Sequence, residues 1–256
     1  VIGSSGDLSE QTPKIVIPNE VRNLLFATSC RLPDFGLILN WMQRPLLLGH
    51  RGARASRHVP ENTLESFELC LEQGCDGFEF DVRLSADGKA VICHDATTRG
   101  MKIAKTSSQD LGLPSLEEVL QEFSSHAFLD IELKVTGLEK HTLAALRSFP
   151  PQKRYVVSSF LPEMLASIHA LDTTVPLGLL GENTRQLQAW PESPAQWIIP
   201  RLDLVNQALV KEFQAGGKKI MVWTVNRPDD MRRLADWRVD AIISDETESL
   251  VRTLRS

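Results

Sequence analysis

From residue 45 onward, short apolar runs alternate with longer stretches in which apolar residues recur at helical spacing. The runs 46–50, 77–82, 128–133, 155–159, 175–180, 197–200, 220–225 and 241–244 have the length of buried strands. Between most of them, 63–73, 115–123, 138–148, 162–171, 204–214 and 228–237 read as amphipathic helices. Boundary signals agree with these spans. Asn62 or Thr63 supplies an N-cap, Pro162 and Pro228 stand at first helical positions, and Gly74 and Gly216 supply stops. Apolar strands alternating with helices predict βαβ units on a parallel sheet, and eight such strands predict a closed α/β barrel of the (β/α)8, or TIM, type.

One apolar run falls outside the alternation. Residues 90–94 follow the second strand after only 83–89, too short for a parallel crossover of a dozen residues or more. They predict an antiparallel return through Asp87-Gly88, a β-hairpin excursion from strand two and not a ninth barrel strand. A turn centred there pairs positions whose numbers sum to about 175, which sets His94 opposite Asp81 to within one residue.

Residues 1–41 lack any sustained period, and Met42 stands just before the first strand. The expected division is an N-terminal extension over 1–41, poorly ordered or included through too early a start, and a barrel domain over 42–256. A helix covering the barrel floor is the rival reading of the extension.

Composition narrows the function classes. A net charge of −5 offers no basic footprint, so nucleic acid is not an expected partner. No apolar run reaches the roughly 18–20 residues of a membrane span, so integral membrane association is not expected either. Cys30, Cys70, Cys75 and Cys93 are irregularly spaced and form no C-x-x-C pair, which reads as reduced, mostly buried thiols. With no secretory leader pattern at the N-terminus, the expected location is the cytoplasm.

The chemistry concentrates at strand ends. Glu79 and Asp81 are two apart on a strand and share one face, while Phe78, Phe80 and Val82 take the other. Two carboxylates aimed into a barrel would repel each other and lose hydration, a penalty of several kcal/mol per ion. A divalent cation with oxygen ligands, Mg²⁺ or Ca²⁺, is the simplest compensation; the alternative is an exposed edge face with solvated acids. Asp130-Ile131-Glu132-Leu133-Lys134 repeats the pattern one strand later. Glu132 and Lys134 read either as a structural pair or as a third ligand and a cation for an anionic substrate. His50-Arg51-Gly52 closes the first strand: Arg51 offers a planar fork for phosphate oxygens, and Gly52 allows a tight turn. His50 and His94, each at a strand end near carboxylates, suit acid/base work. His58, His126, His141 and His169 are expected at the surface.

The ordered set of motifs resembles a known family. His50-Arg51-Gly52-Ala53, Pro60-Glu61-Asn62-Thr63, the run from Gly74 to Val82, Asp87-Gly88 and His94-Asp95 appear in the order found in glycerophosphodiester phosphodiesterases. The resemblance continues through 113–120, 130–134, Ser158-Ser159-Phe160, 222–226 and 242–245, and so spans 45–250. It implies a TIM-type barrel that hydrolyses small glycerophosphodiesters to an alcohol and sn-glycerol 3-phosphate, in glycerophospholipid metabolism. It further implies His50 and His94 as general acid and base, with Glu79, Asp81 and Glu132 on one divalent ion. Arg51 and Lys134 would contact phosphate, Glu61 and Asn62 would order the site, and Phe160 and Trp223 would line the glycerol side or the entrance. The substrate's own glycerol hydroxyl would attack first, giving a cyclic phosphate that water opens. The segment 53–59 is longer and more basic than usual, and 96–112 lacks the usual longer loop; both lie at the expected mouth, where the alcohol is selected. A lysophospholipase D-like or sphingomyelinase D-like activity on the same barrel is the related alternative. A non-catalytic phosphate-binding barrel is the alternative from another class. Oligomeric state is left open.

Overall fold

The computed structural model describes residues 44–255. The expectation for residues 1–41 therefore lies outside the described residues. In chain order, the first elements are β1 (Leu46–His50), α1 (Leu64–Glu72), β2 (Gly77–Leu84), β3 (Ala90–Ile92), β4 (Thr97–Thr98), β5 (Met101–Lys102), α2 (Ser108–Leu111) and α3 (Leu116–Phe123). There follow β6 (Phe128–Leu133), α4 (Glu139–Ser148), β7 (Tyr155–Ser159), α5 (Pro162–Leu171), β8 (Leu177–Gly181) and α6 (Thr184–Leu187). The chain ends with β9 (Trp197–Pro200), α7 (Gln207–Ala215), β10 (Lys219–Val222), α8 (Pro228–Asp236), β11 (Ala241–Ser244) and α9 (Thr247–Arg255).

The main sheet runs β1-β11-β10-β9-β8-β7-β6-β2, and a further β1–β2 pairing closes it. All of these neighbours are parallel, so the predicted eight-stranded barrel is the observed one. β3 hangs antiparallel from β2 as the predicted excursion. Its register falls within one residue of the expected one. Val82 faces Ile92 and Leu84 faces Ala90, and Cys93, not His94, donates its amide to the Asp81 carbonyl at 2.9 Å. The Ser85 amide closes onto the Lys89 carbonyl, leaving Ala86, Asp87 and Gly88 as the loop and moving the turn centre back to Asp87.

Other differences are local. Pro176 has no N–H for the ladder, so β8 begins at Leu177 and not at 175. Asn206 accepts from the Leu209 amide and caps α7 there, after a short 3₁₀ turn at Leu202–Leu204 that the apolar spacing had merged with the helix. β10 ends at Val222, three residues short of the predicted end. The four-residue helices α2 and α6 are too short to show a period, and α9 presents one fully buried leucine, Leu250.

Strand alternation divides the core in two. Outward-facing Phe78 and Phe80 pack under the helices: the Phe67 ring of α1 stacks on Phe78 at 4.2 Å, and Phe123 of α3 meets Phe78 edge-on at 5.1 Å. The barrel interior holds Leu48, Phe128, Val156, Trp197, Ile199, Met221 and Ala241 in its lower layers. Inward positions toward the strands' C-terminal ends are polar instead: His50, Glu79, Asp81, Asp130, Glu132 and Ser158, all buried. β2 and β6 approach so closely that a Cβ on Gly77 would run into the Phe128 backbone.

That approach sets the height at which the β2 carboxylates meet those of β6. Gly77→Ala is expected to destabilise the barrel by about 1–3 kcal/mol through overpacking against rigid backbone. Urea unfolding monitored by far-ultraviolet circular dichroism would show the lowered midpoint.

Candidate active site

The site starts where β1 stops. His50 is followed by Arg51 and Gly52 in left-handed conformation, with φ of 55° and 81°. The bend is packed: the Ser66 hydroxyl of α1 donates to the Arg51 carbonyl at 3.1 Å, and a Cβ on Gly52 would collide with Ser66. The same bend aims the Arg51 amide at Glu79 Oε2 (3.1 Å) and brings its Nε to 3.3 Å from Asp81 Oδ2.

The loop before α1 locks this corner. Arg51 Nη1 donates to Glu61 at 2.7 Å, and Arg54 Nε donates to the other Glu61 oxygen at 2.6 Å. Burial works against the Glu61 charge, but the hydrogen bonds from the two guanidiniums hold its carboxyl below the ordinary value. Asn62, at a φ of 59°, donates from Nδ2 to Asp81 Oδ2 at 2.8 Å and accepts from the Asp81 amide. Glu61 and Asn62 thus hold the Arg51 and Asp81 side chains in place.

Glu79, Asp81 and Glu132 bring carboxylate oxygens within 4.8 Å of one another, and all three residues are buried. Burial first, then repulsion from Asp81, pushes Glu79 well above the usual carboxylate range; the same causes push Glu132 up to about 8. Asp81 goes the other way. Its burial is outweighed by Lys134, Arg51 and the Asn62 hydrogen bond, which keep it ionised. Lys134 Nζ lies 2.6 Å from Glu132 Oε1 and 3.2 Å from Asp81 Oδ1. Glu79 Oε1 is buried without a hydrogen-bond partner. Three hard oxygen donors at this spacing, one of them unpartnered, could hold a divalent cation such as Mg²⁺ or Ca²⁺.

The histidines flank this cluster. His50 Nδ1 is 2.7 Å from Asp245 Oδ1, which favours the Nδ1–H tautomer and leaves Nε2 toward Glu79 at 3.9 Å. Asp245 also accepts from Asn226 Nδ2 (2.8 Å) and Arg54 Nη1 (3.1 Å). Partial burial would raise its pKa, but the bonds from His50 and Asn226 prevail and hold it well below the usual range. His94 Nδ1 is 2.8 Å from Asp95 Oδ1, and burial lowers its imidazole below the ordinary histidine value despite the pull of Asp81. Beneath the cluster, Asp130 is fully buried, accepts from Ser158 Oγ at 2.6 Å, and is pushed up to about 7 by burial.

A cavity of about 440 Å³ opens over these groups. His50, Arg51, Glu79, His94, Glu132 and Lys134 form its polar side. Leu180 and Ile243 join Phe160 and Trp223, whose rings meet edge to face at 5.6 Å. Trp223 Nε1 donates to the Ile199 carbonyl, which fixes the indole. The structure therefore brings all the sequence-derived candidates together. His58, His126 and His141 are exposed as expected, whereas His169 is half-buried.

Sequence reasoning assigned no role to Asp245, Asn226, Arg54 or Asp130. Asp245 and Asn226 lie inside quoted motifs, and Asp245 has the inward parity of Ala241 and Ile243, so a signal was present. Asp130 likewise lies in a quoted motif with the inward parity of Glu132, whereas Arg54 carried no signal beyond charge.

The family model of the glycerophosphoryl diester phosphodiesterase family matches residues 50–128 and 104–249. The glycerophosphodiester phosphodiesterase of Caldanaerobacter subterraneus subsp. tengcongensis is 29% identical over 248 residues, covering 83% of this chain and 98% of that protein. A glycerophosphodiester phosphodiesterase structure from Thermotoga maritima superposes with a TM-score of 0.69 at 27% identity, covering 81% of this chain and 97% of that one. An Oleispira antarctica phosphodiesterase, solved in complex with the product sn-glycerol-3-phosphate, gives a TM-score of 0.73 at 26% identity, covering 85% and 99%. With the matched residues running from His50 through the last barrel strand, this chain belongs to the glycerophosphoryl diester phosphodiesterase family.

Proposed function

We propose that the protein hydrolyses glycerophosphodiesters to an alcohol and sn-glycerol 3-phosphate in the 440 Å³ cavity, with one divalent cation, Mg²⁺ or Ca²⁺, on Glu79, Asp81 and Glu132. The observation that carries this reading is the meeting of two histidines, three buried carboxylates and two cations around one small cavity. A phosphodiester is a stable anion, so its cleavage needs charge neutralisation and a proton for the leaving alkoxide. The bound cation would act as a Lewis acid toward a phosphoryl oxygen. Arg51 and Lys134 bind and orient the phosphate, Arg51 through its planar fork. His50 and His94 divide the proton transfers. One removes the proton of the glycerol 2-hydroxyl as its oxygen attacks phosphorus; the other protonates the departing alcohol oxygen as its bond to phosphorus breaks. Water then opens the cyclic phosphate with the roles reversed. Asp245 keeps His50 in one tautomer, and Phe160 and Trp223 shield the reacting groups from bulk water. Free Cys70, Cys75 and Cys93 support a reducing compartment, the cytoplasm.

The assay is release of glycerol 3-phosphate from glycerophosphocholine, with Mg²⁺, with Ca²⁺ and with a chelator. Release that stops on chelation is the expected result; cleavage of lysophosphatidylcholine alone, read as choline and lysophosphatidic acid, would shift the reading to a lysophospholipase D-like enzyme. Replacing His50 or His94 by Ala is expected to lower turnover by roughly 10²–10⁴-fold with the circular dichroism spectrum intact. Near-normal turnover would remove that histidine from the mechanism.

The cation should also register in stability. Glu79 and Glu132 keep their protons in the metal-free fold at pH values where the unfolded chain has lost them. The folded state then binds more protons, so the contribution of these groups to stability falls as pH rises from about 4.5 toward 8. A divalent ion competes with those protons and replaces them. Thermal unfolding should therefore show a larger rise in Tm on adding the ion at pH 8 than at pH 6.

A further inference from the structure

Across the barrel from β1 stands β8, four strands away in either direction around the ring. Its first residue past the strand, Glu182, lines the same cavity as His50 and Arg51 from the far side. Among the described residues it is the one acidic lining group outside the carboxylate cluster. Its backbone is pinned. The Glu182 amide donates to Gln186 Oε1 at 2.9 Å, and Gln186 is itself held by Asn183, the N-cap of α6. Arg201 is near enough for the Glu182 charge to act on it, but that guanidinium is tied by two bonds, at 2.7 and 2.9 Å, to Asp203.

The charge balance of the cavity leaves Glu182 over. Glu79, Asp81 and Glu132 face one divalent ion together with Arg51 and Lys134, and the single negative charge of a phosphodiester completes neutrality on that side. The Glu182 side chain is exposed at the opposite rim and its carboxylate forms no ion pair among the described residues. The half-buried rings of Phe160 and Trp223 line the same cavity, with Lys134 Nζ 5.7 Å from the centre of the Phe160 ring. A carboxylate next to aromatic rings is the chemistry that holds an ammonium or quaternary ammonium group.

We infer that Glu182 is a specificity-determining residue that selects glycerophosphodiesters whose alcohol carries a positive charge, over those with a neutral alcohol. The inference rests on the phosphodiesterase reading above. The phosphate sits between the histidines and Lys134, and the alcohol reaches across the barrel mouth to Glu182.

The test compares kcat/KM for glycerophosphocholine with kcat/KM for glycerophosphoglycerol, which share the phosphate and the sn-glycerol but differ in the charge of the alcohol. In Glu182→Gln the ratio should fall roughly 3- to 10-fold, the scale of losing one opposite charge near ion-pair range in a partly solvated site. In Glu182→Lys it should fall further, and in the wild-type protein it should shrink as salt is raised. Because both substrates are read on each protein, a general loss of folding or turnover cancels in the ratio. A ratio unchanged in both variants would overturn the role of Glu182 while leaving the phosphodiesterase intact. No release from either diester by the wild-type protein would instead overturn the phosphodiesterase reading, and this inference with it.

Discussion

Three carboxylates with oxygens within 4.8 Å of one another, buried inside a barrel, form the constraint around which the upper half of this protein is arranged. Left alone, they would repel one another in surroundings that also strip their hydration. The chain answers with fixed positive charge and with protons. Lys134 sits against Glu132 and Asp81, Arg51 reaches Asp81, and the Arg51 amide meets Glu79. What remains uncompensated appears as the raised Glu79 and Glu132 carboxyls and the unpartnered Glu79 oxygen. A site in this condition is poised to exchange protons for a cation.

The same electrostatic demand shapes the surroundings. Glu61 would be a fourth negative charge, but it binds Arg51 and Arg54 together and so fixes the guanidinium that the cluster needs. Arg54 continues to Asp245, which in turn holds His50. Loop, barrel strand and final strand end are joined by one chain of charge-assisted hydrogen bonds, which are stronger and more directional than neutral ones. Rigidity at His50 is therefore a consequence of how the charge near Arg51 is balanced.

Stability and chemistry are separated along the barrel axis. Leu48, Phe128, Trp197 and Met221 fill the lower interior, and the aromatic stack of Phe67, Phe78 and Phe123 anchors β2 to α1 and α3 from outside. β2 carries both duties on alternate residues, with Phe78 and Phe80 outward and Glu79 and Asp81 inward. The packing of one face holds the other face's charges at the close spacing they would otherwise resist.

Much of this was legible in the sequence, because strands and helices impose local periods that survive folding. The alternation of apolar runs implied the barrel, and the two-residue spacing of Glu79 and Asp81, then of Glu132 and Lys134, placed them on shared faces before any fold was known. The hairpin was legible from Asp87-Gly88, but its register only to within one residue, since the final step depended on Ser85 closing onto Lys89. The His50–Asp245 contact joins residues 195 positions apart and exists because β1 pairs with β11, setting Gly49 beside Ser244 at the barrel's seam. Glu182 reaches the cavity only because eight strands close into a ring that puts β8 opposite β1. Local spacing determined which residues could share a face; ring closure decided which faces meet, because that pairing is set by long-range backbone hydrogen bonds and no short-range pattern encodes it.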